Sequence, residues 1–180
     1  MPRTKLSSKR DGILLDIGCG PYKRGPHWVG MDNRKLPGVD IVHDLEKIPW
    51  PIKSYSVITL IANHVLEHLK PWLTVDIFNE MWRVCKPEGQ LVVGVPYGVN
   101  DLYVQDPTHC NPFNERTFQY FDPRPEQFGW VEEKVKGVWK VKTEGAKNIL
   151  YPYYEAKPWK INLMYWQSNG SMEVVMEKRR

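Results

Sequence analysis

The sequence lacks the features that would mark a membrane, secreted or redox protein. It has no apolar run approaching the roughly 20 residues that a helix needs to cross a bilayer, and residues 1–5 lack the apolar core of a signal peptide. Cysteine is scarce: Cys19, Cys85 and Cys110 are odd in number and far apart, with no Cys-x-x-Cys pair for metal or redox chemistry. We therefore expect a cytoplasmic protein with reduced thiols and no membrane partner.

The excess of positive over negative charge is also small. The chain has 25 basic and 21 acidic residues, for a net charge of +4, and part of the excess lies in the tails at 5–10 and 178–180. Such tails are usually solvated chain ends. No basic stripe is interleaved with aromatic residues, as it is in many nucleic-acid-binding domains. Nucleic acid therefore stays an alternative partner rather than the main expectation.

The length predicts a single domain. A chain of 180 residues has enough interior to bury a core and is too short for two ordinary domains. We assign the whole of 1–180 to that domain and treat residues 1–11 as a basic tail.

The stretch from Leu14 to Pro21 organises the rest of the chain. It is an apolar run that contains Asp16 near its end and then breaks into a turn at Gly18 and Gly20. A buried parallel strand has this apolar character, and glycines after it let the backbone turn sharply and approach a ligand. The stretch predicts a strand that leads into a cofactor-binding loop.

The residues around this loop discriminate between two kinds of cofactor. A dinucleotide loop is disfavoured because Lys23 stands at the sixth position of the glycine motif, where that motif has a third glycine. Asp32 also follows the glycines at a shorter spacing than the ribose-binding acid of a dinucleotide site does. Asp16, just ahead of the glycines, would repel a pyrophosphate and attract an ammonium or sulfonium group. S-adenosylmethionine carries both of these cations.

Three successive predicted strands end in an acid. Asp16 closes the first strand, Asp32 closes a second strand at 28–32, and Asp44 closes a third at 39–44. Ligands of open parallel sheets bind at the carboxyl ends of the strands, so these side chains should line one crevice. An acid at the end of the second strand can accept hydrogen bonds from both hydroxyls of a ribose.

The later pattern predicts an α/β sheet that ends in a hairpin. Apolar runs predict a fourth strand at 57–62 and a fifth at 90–95, joined by a helix that is entered near Pro71. The apolar face of this helix carries Leu73, Ile77, Met81 and Val84. The remainder predicts a helix capped by Asn114, an extended segment at 130–141, and a hairpin of 161–167 with 172–178. The connection at 97–112 has no clear periodicity and is rich in polar and aromatic residues, which predicts a functional loop. We place this loop on the acceptor side of the pocket, where the molecule that receives the transferred group would bind.

In order and spacing, these motifs resemble those of small class I S-adenosylmethionine-dependent methyltransferases of the type 11 kind. The matching segments are Leu15–Gly20, Val29–Asp32, Asp44–Leu45 ahead of Ile48–Trp50, Asn63–His68 and Arg83–Pro87. The resemblance implies a Rossmann-like α/β fold whose sheet is mostly parallel and ends in a C-terminal antiparallel hairpin.

The resemblance also implies roles for individual residues. Asp16 and the backbone of the glycine turn would hold the methionine part of the cofactor, and Asp32 would bind the ribose. Asp44 would bind the adenine amino group with Leu45 beside the ring. The cofactor-binding set that follows is Asp16, Gly18, Cys19, Gly20, Asp32, Asp44, Leu45, Asn63 and His64, with Asn63 and His64 opening the acceptor side.

The sequence departs from the family pattern in several places. Glu88 stands where the family usually has glycine, and Ser56 stands where an acid often opens the fourth strand. Trp50 is a candidate cover for the adenine, but an aromatic residue beside proline is more often part of a core. There is little room for an N-terminal helix over the pocket. A neighbouring subunit of a homodimer, or the loop at 97–112, would then close the site.

A competing pattern at His64-Val65-Leu66-Glu67-His68 matches the inverted zinc-protease signature His-x-x-Glu-His. A zinc site of that class needs the motif within a helix and a third protein ligand. Here the motif comes directly off a strand and Pro71 follows closely. We therefore expect no metal and prefer a structural role for His68.

The acceptor and the catalytic base are the least determined features. A hydroxyl acceptor needs its proton removed, and the candidates are His109, Asp106 and His64, with His109 first. The Asn/Asp-Pro-Pro-Tyr signature of enzymes that methylate base amines is absent after the fourth strand. We expect O- or N-methylation of a small molecule or sugar. A nucleic-acid methyltransferase, or a cofactor-binding protein without transfer activity, are the alternatives.

Overall fold

Nine strands are described in this computed structural model, which describes residues 12–122, the strands at 132–135 and 138–141, and residues 155–179. They are β1 (Ile13–Ile17), β2 (Trp28–Asp32), β3 (Ile41–Val42), β4 (Val57–Asn63), β5 (Cys85–Pro96), β6 (Glu132–Val135), β7 (Val138–Val141), β8 (Trp159–Trp166) and β9 (Ser171–Lys178). The predicted basic tail at 1–11 lies outside the described residues.

Seven of these strands form one mixed sheet in the order β3-β2-β1-β4-β5-β9-β8. The first five strands pair in parallel, and β9 pairs antiparallel with both β5 and β8. The order reverses between β1 and β4, which is where ligands bind in open parallel sheets. This sheet confirms the predicted Rossmann-like fold with its C-terminal antiparallel hairpin.

One face of the sheet carries the main core. Leu15, Leu60, Leu91 and Met176 are in register across four neighbouring strands and are fully buried. The helix α1 (Thr74–Val84) follows a 3-10 turn at Pro71–Leu73 and buries its apolar side chains in the same cluster. The helix predicted near Pro71 is therefore confirmed, with its α-helical part beginning at Thr74.

Two shorter helices follow β5. The first, α2 (Asp101–Val104), is a single turn within the 97–112 connection, where the sequence shows no periodicity. The second, α3 (Glu115–Gln119), begins at the predicted cap Asn114, whose side chain accepts hydrogen bonds from the backbone of Arg116 and Thr117. In the described residues, no helix is both long enough and apolar enough to cross a membrane.

Side chains hold the connection between β1 and β2, which contains no helix. Asp16 Oδ2 accepts a hydrogen bond from the backbone N–H of Arg24 at 2.8 Å. Asp40 Oδ2 accepts one from the backbone of Gly30 at 2.7 Å and pairs with the Lys23 ammonium. These contacts fix the glycine turn against β2.

Some predicted boundaries differ from the structure. β3 keeps only Ile41 and Val42 of the predicted 39–44, and β5 begins at Cys85 rather than at residue 90. Glu88 lies within this early part of β5 at φ 63°. This is the left-handed region that favours glycine, which is the residue that the family pattern has at this place.

Candidate cofactor and active site

Two cavities lie at the carboxyl ends of the central strands and share Gly18. The larger has a volume of about 580 Å³ and is lined by Gly18, Asp32, Asn33, Arg34, Asp44, Leu45, Glu46, His64, Val65, His68, Leu69 and Thr108. The smaller has a volume of about 180 Å³ and is lined by Asp16, Gly18, Cys19, Tyr22, Arg24, Ile61 and Asn63. Eight of the nine predicted cofactor residues therefore line one of these cavities.

The ninth, Gly20, lies between the strands that carry the acids. Its backbone N–H donates a hydrogen bond to Asp32 Oδ2 at 2.9 Å. The backbone N–H groups of Gly18 and Cys19 both donate to the Met31 carbonyl. The turn after β1 is thereby attached to the end of β2, and the two predicted motifs form one wall.

Gly18 is required by its surroundings as well as by its backbone. Its φ is 63°, and a Cβ at this position would collide with the side chain of Val65. Gly20 also has a positive φ, of 56°, but a Cβ there would meet nothing within 4 Å. Only at Gly18 does the turn press against the wall of the larger cavity.

Asp32 is held as an anion although it is 4% exposed. Burial alone would raise the pKa of its carboxyl. Hydrogen bonds from the Arg34 side chain, the Arg34 backbone and Gly20 outweigh burial and keep the pKa below its ordinary value. Asp32 therefore presents an ionised acceptor to the larger cavity at neutral pH.

Asp16 has the opposite electrostatic balance. Burial raises the pKa of its carboxyl, and the hydrogen bond from the Arg24 backbone and the Arg24 charge offset only part of that rise. The nearby thiol of Cys19 has its pKa raised to about 11 by burial and by the charges of Asp16 and Asp32. Cys19 is therefore a neutral thiol at pH 7, and this wall of the smaller cavity offers a carboxylate but no thiolate.

Leu45 and Asp44 follow β3 on the wall of the larger cavity. The Leu45 carbonyl accepts a hydrogen bond from Trp50 Nε1 at 3.0 Å, and Asp44 Oδ1 accepts one from the Glu46 backbone. Trp50 itself is 3% exposed and belongs to the core, so it supports Leu45 from behind.

His64 lies on the wall of the larger cavity in a left-handed conformation, with φ 51°. Its Nδ1 lies 3.0 Å from Glu67 Oε1, and its Nε2 lies 3.3 Å from Ser171 Oγ at the start of β9. The hydrogen bond to Glu67 raises the pKa of His64, and burial opposes part of that rise. Such strained backbone is often found at functional sites.

The 97–112 loop reaches the larger cavity through Thr108. The loop is fixed by Glu67, whose carbonyl accepts hydrogen bonds from the backbone of Cys110 and Asn111. The His109 side chain is 7% exposed and lines neither cavity. Its Nδ1 donates a hydrogen bond to the Tyr103 carbonyl at 2.7 Å, and its Nε2 lies 3.9 Å from Glu67 Oε1. Asp106 also lines neither cavity and accepts hydrogen bonds from the backbone and side chain of Thr108.

Several wall residues escaped sequence reasoning. They are Asn33, Arg34, Glu46, Val65, Leu69 and Thr108 in the larger cavity, and Tyr22, Arg24 and Ile61 in the smaller. His68, for which the sequence favours a structural role, also lines the larger cavity. Most of the missed residues lie within two residues of a predicted site residue, so closeness in sequence to the motifs is the signal that could have identified them. Thr108 had a weaker signal, since it stands between the candidates Asp106 and His109.

Comparisons with known proteins agree with this geometry. The profile of the family described as "Methyltransferase domain" matches residues 24–93. A search of curated protein sequences finds no significant match.

Solved structures share the fold at low sequence identity. A SAM-dependent methyltransferase from Archaeoglobus fulgidus has a TM-score of 0.57 at 16% identity, over 94% of this chain and 87% of that one. The 1,6-didemethyltoxoflavin-N1-methyltransferase of Burkholderia thailandensis, solved with S-adenosylhomocysteine, has a TM-score of 0.58 at 10% identity, over 95% and 72%. The chain therefore has the Rossmann-like fold of class I S-adenosylmethionine-dependent methyltransferases, and its residues 24–93 match the methyltransferase-domain profile.

Proposed function

We propose that the protein transfers a methyl group from S-adenosylmethionine to an oxygen or nitrogen of a small molecule or sugar. The observation that carries this proposal is the pair of cavities joined at Gly18, with Asp16 on the smaller and Asp32 and Asp44 on the larger. This order of acids suits the methionine, ribose and adenine parts of the cofactor in turn.

The charge of the walls favours this cofactor over a dinucleotide. The two cavities are lined by four carboxylates, those of Asp16, Asp32, Asp44 and Glu46, and by two arginines, Arg24 and Arg34. One of the arginines, Arg34, is already paired with Asp32. An excess of carboxylates would repel a pyrophosphate and attract the ammonium and sulfonium charges of S-adenosylmethionine.

Each part of the cofactor has a partner in this proposal. Asp16 would receive the ammonium group, and Asp32 would accept hydrogen bonds from the ribose hydroxyls. Leu45, Val65 and Leu69 would pack on the adenine ring. The bound cofactor supplies an electrophilic methyl group, and the residues of the chain orient the two reactants and keep water away.

His64 is the histidine best placed to remove a proton from a hydroxyl acceptor. It lines the larger cavity, and because Glu67 engages its Nδ1, the proton-accepting atom would be Nε2, which lies 3.3 Å from Ser171 Oγ. His109 and Asp106 line neither cavity, so the geometry favours His64 as catalytic base over the two loop residues. The glutamate behind His64 orients the ring, as carboxylates do in other histidine bases.

A small acceptor is supported by one neighbour. The Burkholderia thailandensis enzyme is named for N1 methylation of 1,6-didemethyltoxoflavin and was solved with that compound bound. The likeness is one of fold, so it supports the size of the acceptor and not its identity.

The proposal is tested by transfer of a labelled methyl group. Purified protein is incubated with S-adenosylmethionine labelled on the methyl group and with panels of hydroxylated small molecules, amines, sugars, RNA and DNA. We expect labelled product from a small molecule or sugar, and a His64→Ala variant that binds the cofactor but turns over at least ~100-fold more slowly on a hydroxyl acceptor. Label in nucleic acid alone would contradict the acceptor class, and cofactor binding without any product would indicate a binding protein.

A further inference from the structure

Glu67, His68 and His109 form a compact cluster beside the larger cavity. One potential ligand atom from each residue lies within 4.8 Å of the other two, and the two imidazole rings are 4.6 Å apart between centroids. We propose that this cluster binds a divalent transition metal ion, with zinc as the expected occupant.

One oxygen of the Glu67 carboxylate is buried without a hydrogen-bond partner among the described residues. The residue is completely buried, and its Oε1 lies 3.0 Å from His64 Nδ1. Within the described part of the chain, no group donates a hydrogen bond to its buried Oε2. An unsatisfied oxygen of a buried carboxylate is costly, and a metal ion would satisfy it.

Hydrogen bonds also select the metal-binding tautomer of both histidines. His109 Nδ1 lies 2.7 Å from the Tyr103 carbonyl, which only accepts, so Nδ1 carries the proton. His68 Nδ1 lies 2.9 Å from Thr108 Oγ1, whose own proton is donated to Asp106 at 2.7 Å. His68 must therefore donate to Thr108. Both rings keep a free lone pair on Nε2, as metal-ligating histidines do when the other nitrogen is held by an outer partner.

The ligand set indicates the type of metal. Two imidazole nitrogens and one carboxylate are the protein ligands of many zinc sites that keep a fourth position open. Calcium and magnesium prefer sites made only of oxygen.

The site requires only a small contraction. Ligand atoms of a tetrahedral zinc site lie about 3.3 Å apart, so the cluster, whose ligand atoms lie within 4.8 Å of one another, would close by up to about 1.5 Å. His68 is exposed and can make that movement. Because His68 and Thr108 line the larger cavity, the open position of the metal would face that cavity.

This site differs from the inverted zinc-protease pattern. Residues Leu66–His68 form a 3-10 turn rather than part of an α-helix, and His64 is directed to Glu67 and Ser171. The second histidine comes instead from His109, 41 residues after His68 in the chain. The proposal therefore replaces the structural role that the sequence favours for His68.

The test is zinc binding to the purified full-length protein, with no cofactor added. Bound metal is removed from the protein with a chelator. Zinc is then titrated into the protein in a calorimeter to measure its affinity, and the zinc content per chain is measured by elemental analysis. We expect one zinc ion per chain, and at least 10-fold weaker binding in His68→Ala and in His109→Ala. Because His109 is nearly buried, the folding of that variant is checked by circular dichroism, and the exposed His68 provides the variant that is safe for folding.

Three controls separate this site from other sources of binding. His27→Ala changes an exposed histidine of the β1–β2 connection and should bind zinc as the wild type does. Cys110→Ser should also retain binding, since the proposed site uses no thiol. Asp32→Ala should retain zinc while losing the cofactor, which separates failure of this proposal from failure of the proposed function. The proposal is overturned if the wild type takes up no stoichiometric zinc, if both histidine variants bind normally, or if Cys110→Ser abolishes binding.

Discussion

The backbone N–H of Gly20 donates a hydrogen bond to Asp32 Oδ2 at 2.9 Å, so the glycine turn after β1 is attached to the acid at the end of β2. The same carboxylate accepts two further hydrogen bonds from Arg34 through its other oxygen. Asp32 thus organises the cofactor wall before any cofactor is bound, and its removal should affect binding more than stability.

The first prediction concerns this carboxylate. Asp32→Asn should weaken binding of S-adenosylhomocysteine about 100-fold, because a charged acceptor for two ribose hydroxyls is worth roughly 3 kcal/mol. Isothermal calorimetry measures the change. Asp76→Asn, an exposed acid on α1, is the matched control and should bind as the wild type does. Equal affinity in the two variants would remove Asp32 from the ribose site.

The two glycines of the turn should respond differently to alanine. Both have positive φ, which costs a non-glycine residue roughly 1–2 kcal/mol, but only at Gly18 would the new Cβ meet Val65. Gly18→Ala should therefore lower the free energy of unfolding more than Gly20→Ala does, as measured in urea. A Gly18→Ala/Val65→Ala double variant should recover part of the difference. If the two single variants are equally stable, the close contact with Val65 is not important.

The affinity for S-adenosylmethionine should fall as the pH is lowered. Binding of the ammonium group needs Asp16 ionised, and burial raises the pKa of this carboxyl above its ordinary 3.8. The dissociation constant should therefore rise as the pH falls from neutrality through that raised pKa, while Asp32, whose pKa is lowered, stays ionised.

Adenosine provides the control for this pH dependence because it has no ammonium group. Its affinity should change little over the same pH range, and Asp16→Asn should remove most of the pH dependence for S-adenosylmethionine. An identical pH profile for both ligands in the wild type would show that Asp16 does not contact the methionine part.

A stability prediction concerns Arg83 and Glu80 on α1. Arg83 forms two hydrogen bonds to the Glu80 carboxylate, at 2.6 and 2.7 Å, and Glu80 is 3% exposed. Arg83→Ala would leave the buried Glu80 carboxylate without its cationic partner, although the Trp50 backbone N–H still donates to it, and should cost about 3 kcal/mol of unfolding free energy. Chemical denaturation measures this cost, and the exposed Lys53→Ala serves as control. A loss no greater than that of Lys53→Ala would mean that solvent, rather than Arg83, neutralises Glu80.

The meeting of Asp32 with the glycine turn at one edge of the sheet is predictable from the sequence because the signals for it are local. Asp32 ends an apolar run, and parallel strands bring such ends together, so its place beside Gly18 follows from strand order alone. The second strand, Trp28–Asp32, matches its predicted bounds for the same reason. Trp50 was correctly expected to favour the core, although its support of the Leu45 carbonyl was not foreseen.

The acceptor side was less predictable because its contacts join distant parts of the chain. No local pattern shows that the loop before Cys110 is attached to the Glu67 carbonyl, or that Ser171 meets His64. The sequence places His109 first among the candidate bases, and in the structure its ring lines neither cavity and its Nε2 lies 3.9 Å from Glu67 Oε1. The length of β3 also depends on contacts with another part of the chain, because only Ile41 and Val42 pair with β2.

The most direct test of the central claim is calorimetry of the purified wild-type protein with S-adenosylmethionine, S-adenosylhomocysteine and NADH. The arrangement of Asp16, Asp32 and Asp44 around two joined cavities predicts one site per chain for both sulfur-containing ligands and no measurable binding of NADH. Tight binding of NADH with no heat from either methyl-donor ligand would contradict the assignment.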